Sequence, residues 1–321
     1  GAGGLLVQSH LADSLEQLAR KGFRDLYEGE LAEAIVESLS RKGALFTMDN
    51  FRSHKSEFVP PLCVRYRGHD VYATNLPSQG LIMLEELRIL EGFPLSDYGH
   101  NSTRSIHTMV EAKKLAFADR IRFAGDPRFI DVPLDSIFSD EHIASRRAMI
   151  RPDHSMTKDE FNSLLPERDG DTTSFSITDR FGNAVSYIHS ISNRFGSGVV
   201  AGDTGILLNN RAGRGFNLIK GSPNCLAPGK RTMSTLMAHM ILRDGKPCYL
   251  LNTAGGDNQP QWNMQITANL LDYGLNEEQA VCAPRWYSYP GTDPEHFSKP
   301  FRLVLEQGIP ELSAYELEKL G

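Results

Sequence analysis

The chain has 321 residues, of which 40% are hydrophobic and 23% charged, and its formal net charge at pH 7 is −6. This ordinary globular composition excludes disordered and fibrous proteins and allows one large domain or two modest ones. The mild acidic excess, without clustered cations, argues against a nucleic-acid or membrane-surface partner. No apolar run reaches the ~18 residues that a membrane-spanning helix needs.

Both ends of the sequence predict a fragment of a longer protein. The chain starts at Gly1 without a signal-like segment and stops just after an amphipathic stretch, Pro310 to Leu320. We therefore expect that an N-terminal part is missing and that the C-terminus is truncated. The compartment, cytoplasmic or exported, stays undetermined on this basis.

The four cysteines, Cys63, Cys225, Cys248 and Cys282, are widely spaced and form no Cys-x-x-Cys pair. Because isolated cysteines are often small apolar core residues, we predict that they are buried and bind no metal. Their spacing does not decide whether disulfides join them, so the redox compartment stays open.

Hydrophobic spacing in the first half of the chain indicates mainly helices. Two helices are predicted between Leu11 and Arg41, and residues 124–170 are loop-rich with two short polar helices. The elements between them are a hairpin of two strands and two longer helices: Leu62–Tyr66, Val71–Thr74, Leu81–Glu91 and His107–Phe123.

Strand patterns replace the helical ones at Thr172. Residues Asp179 to Asn183 form a predicted hairpin turn, and Asp244-Gly245 forms another. A helical pattern follows at Gln261–Leu271. The predicted strands are Thr173–Thr178, Ala184–Ser190, Gly205–Leu208, Met237–Leu242 and Cys248–Leu251.

Thr172 is the candidate nucleophile because it begins a strand directly after a polar, glycine-containing loop. If the chain were cut before it, the freed amine could deprotonate the hydroxyl of the same residue, and no histidine or lysine partner would be needed. The alternative is that Thr172 and Thr173 are ordinary strand-forming residues at a strand start.

Gly255 and Gly256 lie between a predicted strand and a predicted helix. Glycines there let backbone N–H groups approach a reacting carbonyl oxygen, as an oxyanion hole requires. The alternative is a strand-to-helix turn that needs glycine geometry.

A third segment, Pro228 to Arg231 followed by Ser234 and Thr235, offers two cations and two hydroxyls for the polar or anionic end of a substrate. The alternative is a solvated loop.

In order and spacing, these segments resemble the γ-glutamyltranspeptidase family over almost the whole chain. In the first half, His107-Thr108 and Ala116 to Arg120 are similar to a helix of the family's large subunit. The motifs that carry the resemblance in the second half are Asp171-Thr172-Thr173, Asp179 to Ser186, Phe195 to Gly198, Gly205 to Asn210, Pro228 to Arg231 and Gly255-Gly256.

The resemblance implies an α+β fold, the four-layer αββα sandwich of N-terminal-nucleophile hydrolases. It implies a precursor cut before Thr172, in which residues 1–171 are the C-terminal part of a large (α) subunit and residues 172–321 a truncated small (β) subunit, together one αββα domain. By the same resemblance, Thr172 forms an acyl-enzyme with Ser190 as a supporting hydroxyl. The oxyanion hole and the contact to the glutamyl carboxylate then correspond to two pairs: Gly255 with Gly256, and Ser234 with Thr235.

The sequence departs from the family where active members hold the substrate's α-amino group with acidic residues. Arg211 and Arg214 stand in that stretch, and like charges repel an ammonium group. Ser192 stands where the family has a further asparagine. This pattern resembles the acylase-like and oxamate-amidohydrolase-like branch, so we expect a substrate acyl group without that amine and with an acid that Arg211 or Arg214 binds. The alternative is that both arginines lie in a solvent-facing loop.

We therefore predict a self-processing amide hydrolase with a small-molecule amide substrate, whose two fragments stay together as a heterodimer. Metal and nucleotide motifs are missing, so no metal or other cofactor is expected. The alternatives are a true γ-glutamyltransferase or glutathione hydrolase, and an unprocessed relative with a binding or structural role. A serine hydrolase triad built on His189 or His239 is disfavoured, because no Gly-x-Ser-x-Gly motif exists.

Overall fold

A computed structural model describes residues 3–157, 160–161, 171–291 and 300–321. The chain combines α-helices with antiparallel strands and divides into two compact units. The smaller unit comprises Gly1–Val59 and Asn193–Asn210, and the larger comprises Pro60–Ser192 and Arg211–Gly321. Among the described residues, no helix is both long and apolar enough to cross a membrane.

The smaller unit is helical, as its i, i+3, i+4 pattern predicts. In its third helix, Leu31, Ile35 and Leu39 recur every four residues and form a buried stripe that packs with Ala201. A 3₁₀ turn at Gly202–Thr204 packs on this side, and Ser14 Oγ donates to the Thr204 carbonyl at 2.7 Å. The helices are α1 (Ser9–Lys21), α2 (Asp25–Glu28), α3 (Glu30–Arg41) and α4 (Met48–Arg52).

The strand predicted for Gly205–Leu208 is wrong. Only an isolated bridge joins Val200 to Leu207. Gly205 adopts φ +68°, in the left-handed region, and a side chain there would meet the backbone of Leu11 at 2.4 Å. The close packing of this glycine after the 3₁₀ turn prevents the extended backbone that a strand needs.

The core of the larger unit lies between a four-stranded antiparallel sheet and the helices that pack on it. The strand order is β1-β2-β5-β6. The strands are β1 (Leu62–Tyr66), β2 (His69–Ala73), β5 (Ala238–Arg243) and β6 (Lys246–Asn252). The helices of this core are α5 (Gly80–Leu90), α7 (Thr103–Phe123) and α11 (Asn258–Leu271). The shorter helices of the unit are α6 (Leu95–Tyr98), α8 (Leu134–Ile137), α9 (Asp140–Ala148), α10 (Arg211–Gly215), α12 (Glu277–Cys282) and α13 (Glu311–Leu320).

The predicted hairpin after Thr172 is present as β3 (Asp171–Thr178) and β4 (Ala184–Ser192). Its turn is closed by Asp179 Oδ1, which accepts from the backbone N–H groups of Phe181 and Asn183. One face of the hairpin lies on β6, where Ser186 Oγ donates to the Leu251 carbonyl at 3.1 Å. The strand register therefore fixes where the two ends of the hairpin, Asp171 and Ser192, lie.

Two strands and several short helices were not predicted; the helices include α4, α6, α10 and α12. Strands β7 (Trp286–Tyr289) and β8 (Arg302–Leu305) form a separate antiparallel pair, and helix α12 precedes β7. Each strand has four residues, and β7 is followed at once by Pro290. Such short runs carry little periodicity, so their pairing depends on tertiary packing.

The prediction that the cysteines are buried is wrong for three of the four. Cys63, Cys248 and Cys282 are exposed, Cys225 is half-buried, and all four thiols are free. In β1 the alternation of a strand directs Val64 and Tyr66 to the core and Cys63 outward.

Candidate active site

Thr172 is the second residue of β3, at a point where the register of the hairpin shifts. Asp171 pairs with Ser192 and Thr173 pairs with His189, so Thr172 falls within the irregularity. Such a bulge redirects a side chain. Its hydroxyl donates to Ser190 Oγ at 3.2 Å and accepts from Gln259 Nε2 at 3.1 Å. The candidate nucleophile is therefore held between β4 and the start of α11.

Ser190 and Ser192 continue this arrangement along β4. Ser192 donates its backbone N–H to Ser190 Oγ at 2.9 Å and adopts φ +80°. Arg214 Nη1 in turn donates to Ser192 Oγ at 3.3 Å, and the Arg214 side chain is only 2% exposed. Arg214 is thus buried beside the hydroxyls, which excludes a solvent-facing position for it. A buried cation here favours negative charge that develops nearby.

Gly255 and Gly256 connect β6 to α11 and adopt φ +124° and +56°. Their carbonyls accept from the N–H groups of Asn258 and Gln259 at 2.9 and 3.1 Å, which starts the helix. A Cβ on Gly255 would lie 2.5 Å from the Trp262 ring, so glycine is required there. Because Gln259 also contacts Thr172, the glycine turn and the candidate nucleophile lie in the same site.

A buried network holds this turn in place. Arg120 Nη1 donates to Asp257 Oδ1 at 2.6 Å and to Gln79 Oε1 at 3.1 Å. Gln79 Nε2 donates to the Gly256 carbonyl at 2.9 Å and to the Thr235 carbonyl. All three side chains are at most 5% exposed. The network therefore joins α7, the glycine turn and the Thr235 segment.

The segment at 228–235 brings together Thr235 and Arg211. Arg211 Nη1 donates to Thr235 Oγ1 at 3.0 Å, and Thr235 is buried. Ser234 Oγ accepts from the backbone N–H of Leu236 at 3.3 Å, which turns this hydroxyl to its own loop. Lys230 Nζ donates to the Cys225 carbonyl at 3.1 Å and so stabilises the backbone of its own loop.

Asp126, which follows α7 in the sequence, holds the backbone of the same segment. Its Oδ2 accepts from the Arg231 backbone N–H at 2.7 Å and from Arg128 Nη2 at 2.6 Å. Burial acts to raise the pKa of Asp126, but the hydrogen bonds from Arg128 and Arg231 outweigh it and lower the pKa to about 2. The carboxylate is therefore ionised at neutral pH.

The two histidines of the disfavoured triad lie elsewhere. His189 is on the exposed side of β4. His239 is buried on β5, where burial lowers its pKa to about 3, and its Nε2 lies 3.4 Å from Thr267 Oγ1. A ring with that pKa is a weak base at neutral pH.

Five residues that the structure adds to this site were not predicted to belong to it: Gln79, Arg120, Asp126, Asp257 and Gln259. Gln79 directly precedes α5 and Arg120 lies among other charged residues near the end of α7, and their partners are 41 to 177 positions away in the sequence. Gln259 carried a signal, since it belongs to a run of polar residues directly after Gly255-Gly256. That run, Asp257 to Gln261, is entirely buried.

Comparison with known proteins assigns this arrangement to a family. The sequence model described as Gamma-glutamyltranspeptidase matches residues 1–321. The glutathione hydrolase-like YwrD proenzyme of Bacillus subtilis (strain 168) is 41% identical over 285 residues, which cover 87% of this chain and 52% of that protein. The glutathione hydrolase proenzyme of Escherichia coli (strain K12) is 34% identical over 331 residues, 99% of this chain and 56% of that protein.

A crystal structure of cephalosporin acylase from Bacillus halodurans matches with a TM-score of 0.85 and 32% identity, over 97% of this chain and 54% of that one. This likeness confirms the predicted α+β fold of the N-terminal-nucleophile hydrolase type. The chain spans about half the length of the curated relatives it matches.

Proposed function

The chain belongs to the gamma-glutamyltranspeptidase family, and we propose that it is part of an amide hydrolase that cuts itself before Thr172 and then uses Thr172 as its nucleophile. One observation carries the proposal. The Thr172 hydroxyl lies at a strand start and is hydrogen-bonded to Ser190 and to Gln259, whose own backbone N–H donates to the Gly256 carbonyl. A nucleophile, a supporting hydroxyl and a source of oxyanion donors are therefore adjacent.

Self-scission needs only groups of this chain and water. Thr172 Oγ attacks the Asp171 carbonyl carbon, the C–N bond breaks, and the Thr172 nitrogen leaves with a proton as an amine. Water hydrolyses the resulting ester, which restores the hydroxyl and releases residue 171 as a carboxylate. Residues 1–171 then belong to a large subunit and residues 172–321 to a small one, held together as a heterodimer.

Turnover repeats the same chemistry on a substrate amide. The freed amine takes the hydroxyl proton, Oγ bonds to the carbonyl carbon, and the N–H groups of Gly255 and Gly256 stabilise the oxyanion. The amine product leaves with the proton, and an acyl-enzyme remains. Water then hydrolyses the acyl-enzyme and regenerates Thr172.

The substrate we propose carries an acid and lacks a free α-amine next to it. Arg211 and Arg214 reach Thr235 and Ser192, so their charges lie within the site. Guanidinium groups bind carboxylates through paired N–H donors and disfavour an ammonium group. Ser192, Ser234 and Thr235 supply further polar contacts in this proposal.

Glutathione hydrolysis, with or without transfer of the γ-glutamyl group, is the second candidate. It is supported by the similarity to relatives named glutathione hydrolase. An unprocessed relative that binds ligands without catalysis is the remaining alternative, and processing distinguishes it from both enzymes.

The first prediction concerns processing. Expressed from the full-length gene, the wild type should give two fragments by intact mass spectrometry, with Thr172 at the new terminus. Thr172→Ala should remain one chain and lose turnover, because the same hydroxyl serves both reactions. Thr173→Ala, which removes an exposed hydroxyl on the next residue, is the matched control and should mature. Cleavage that survives in Thr172→Ala would refute the nucleophile assignment, and an intact wild type would support the non-catalytic alternative.

The second prediction concerns the acyl group. Glutaryl-p-nitroanilide and γ-glutamyl-p-nitroanilide differ only in the α-amine, so their kcat/KM ratio measures the response to that charge. We expect the glutaryl compound to be preferred on the order of tenfold or more, and Arg211→Gln to reduce the preference. Faster turnover of the γ-glutamyl compound would favour the glutathione hydrolase alternative.

A further inference from the structure

Gln259 contacts the nucleophile but has no assigned role. Its side chain is 0% exposed, and its Nε2 donates to Thr172 Oγ1 at 3.1 Å. Within the part of the chain that the structure describes, its Oε1 is buried and makes no hydrogen bond. A buried carbonyl oxygen without a donor costs free energy, so such an atom at a reacting centre points to a partner that arrives later.

Two other side-chain amides of the same helix bind the backbone of a neighbouring strand. Gln261 Oε1 accepts from the Ser288 backbone N–H at 2.8 Å, and Gln265 binds the backbone of Trp286 through both ends of its amide. These side chains connect α11 to β7. Gln259, in the first turn of α11, is directed at Thr172.

We propose that Gln259 is a further catalytic residue, whose Nε2–H stabilises negative charge on Thr172 Oγ1 and whose Oε1 accepts an N–H of the Thr172 amine once scission has freed it. The inference deepens the proposed function and rests on it. A carboxamide beside a terminal threonine can bridge its nitrogen and its hydroxyl oxygen, since the two heteroatoms of each group are separated by similar distances.

The two contacts act at different moments. With one N–H on Oε1, the amine directs its lone pair at the hydroxyl proton, which it takes as Oγ bonds to the carbonyl carbon. In deacylation the amine takes a proton from water, whose oxygen bonds to the acyl carbon. The C–Oγ bond then breaks, Oγ leaves with the electron pair, and the amine gives it that proton. Charge on Oγ is largest as that bond forms and breaks, and a hydrogen bond to a charged oxygen is stronger than one to a neutral hydroxyl.

The test replaces the amide with an apolar side chain of similar length, Gln259→Met, in the full-length protein. We expect kcat on a p-nitroanilide substrate to fall roughly 10- to 100-fold, the range for a lost hydrogen bond to a charged group, with little change in KM. Self-scission should slow in parallel, with an accumulating ester before Thr172 that hydroxylamine cleaves.

The matched control is Asn263→Leu, one helical turn further along α11. Asn263 is also 0% exposed, and both of its amide atoms lack partners among the described residues, so this change removes a buried amide that does not touch Thr172. It should mature and turn over as the wild type does. Wild-type rates in Gln259→Met, with Thr172→Ala inactive, would overturn the role of Gln259 and leave the proposed function intact; turnover by Thr172→Ala would overturn the function itself.

Gln259→Glu keeps the size of the side chain, so this variant tests the catalytic role of Gln259 if Gln259→Met does not fold. A carboxylic acid can donate to Oγ1 and a carboxylate cannot. The ratio of variant to wild-type kcat should therefore fall as pH rises through the pKa of the new side chain. A ratio that does not change with pH would contradict the proposal.

Discussion

Two carboxylates hold the two loops of the candidate site, and their arginine partners differ in exposure. Asp257, beside Gly255-Gly256, pairs with Arg120 at 2.6 Å, and the side chains are only 2% and 5% exposed. Asp126, which holds the backbone of Arg231, pairs at 2.6 Å with Arg128, whose side chain is 45% exposed. One pair is interior and the other reaches solvent.

The difference indicates how strictly each loop is positioned. Removing one member of a buried ion pair takes an opposite charge away from the other member in the interior, which is expensive, whereas water can solvate a half-exposed arginine when its partner is lost. The Gly255-Gly256 loop, where charge develops in the proposed reaction, is thus held by the ion pair whose loss is more expensive. The segment at 228–235, which is proposed to bind the substrate, is held by a weaker pair, so its sequence can change at a lower cost in stability.

Breaking the interior pair should have the largest effect on stability. Arg120→Met leaves the Asp257 carboxylate buried, so the free energy of unfolding should fall by about 3–5 kcal/mol. It also removes the donor to Gln79, which binds the Gly256 carbonyl, so kcat should fall as well. Denaturant unfolding and steady-state kinetics measure the two effects.

Arg122→Met is the control for Arg120→Met, because Arg122 is exposed on the same helix. The double variant Arg120→Met/Asp257→Asn removes both charges and should recover part of the lost stability. If Arg120→Met were no less stable than Arg122→Met, the distinction between the interior and exposed pairs would fail.

Gly256→Val tests the loop that the interior pair holds. The residue adopts φ +56°, which β-branched side chains avoid, so its N–H should be displaced. Loss of one oxyanion donor costs about 2.7–4 kcal/mol of transition-state stabilisation, roughly 10²- to 10³-fold in kcat. Gly182→Val is the control: its φ is +86°, but it lies in the open hairpin turn with nothing within 4 Å of a Cβ. Near-normal kcat in Gly256→Val would remove this residue from the site.

Local pattern was sufficient for most elements of the fold. The apolar spacing of α3 and the alternation in β1 indicate their type, and each element buries the face that its own spacing defines. Helices α5 and α7 are buried on nearly all sides, so their apolar content, not one buried face, marks them as core helices. Strands β7 and β8 were missed because four residues hold too little pattern. The error on Cys63 has a related cause: burial follows from the strand register, not from residue type.

For the site as well, residues within a local motif could be predicted, and contacts set by tertiary packing could not. Thr172, Ser190 and the glycine pair were identified by family motifs, and the hairpin register brings the two hydroxyls together. The contacts of Gln259 with Thr172 and of Arg120 with Asp257 join residues 87 and 137 positions apart. A side chain's partner at such separations is set by the packing of helices on the sheet, which no local pattern in one sequence specifies.

The exposed pair should give the smallest effect, and one that depends on pH. The pKa of Asp126 in the folded chain is about 2 against an ordinary 3.8, because hydrogen bonds from Arg128 and Arg231 outweigh the opposing effect of burial. A lowered folded pKa contributes stability that is fully present above the unfolded pKa and is lost as pH falls through the folded one.

Asp126→Asn should therefore lower the free energy of unfolding by about 1 kcal/mol at pH 7, after allowance for solvent screening of Arg128. The difference from wild type should shrink as pH falls from 3.8 towards 2. Urea unfolding at pH 7, 4 and 3 measures it, with the exposed Asp135→Asn as control; a difference that stays constant over this range would show that the Asp126 charge does not hold the segment.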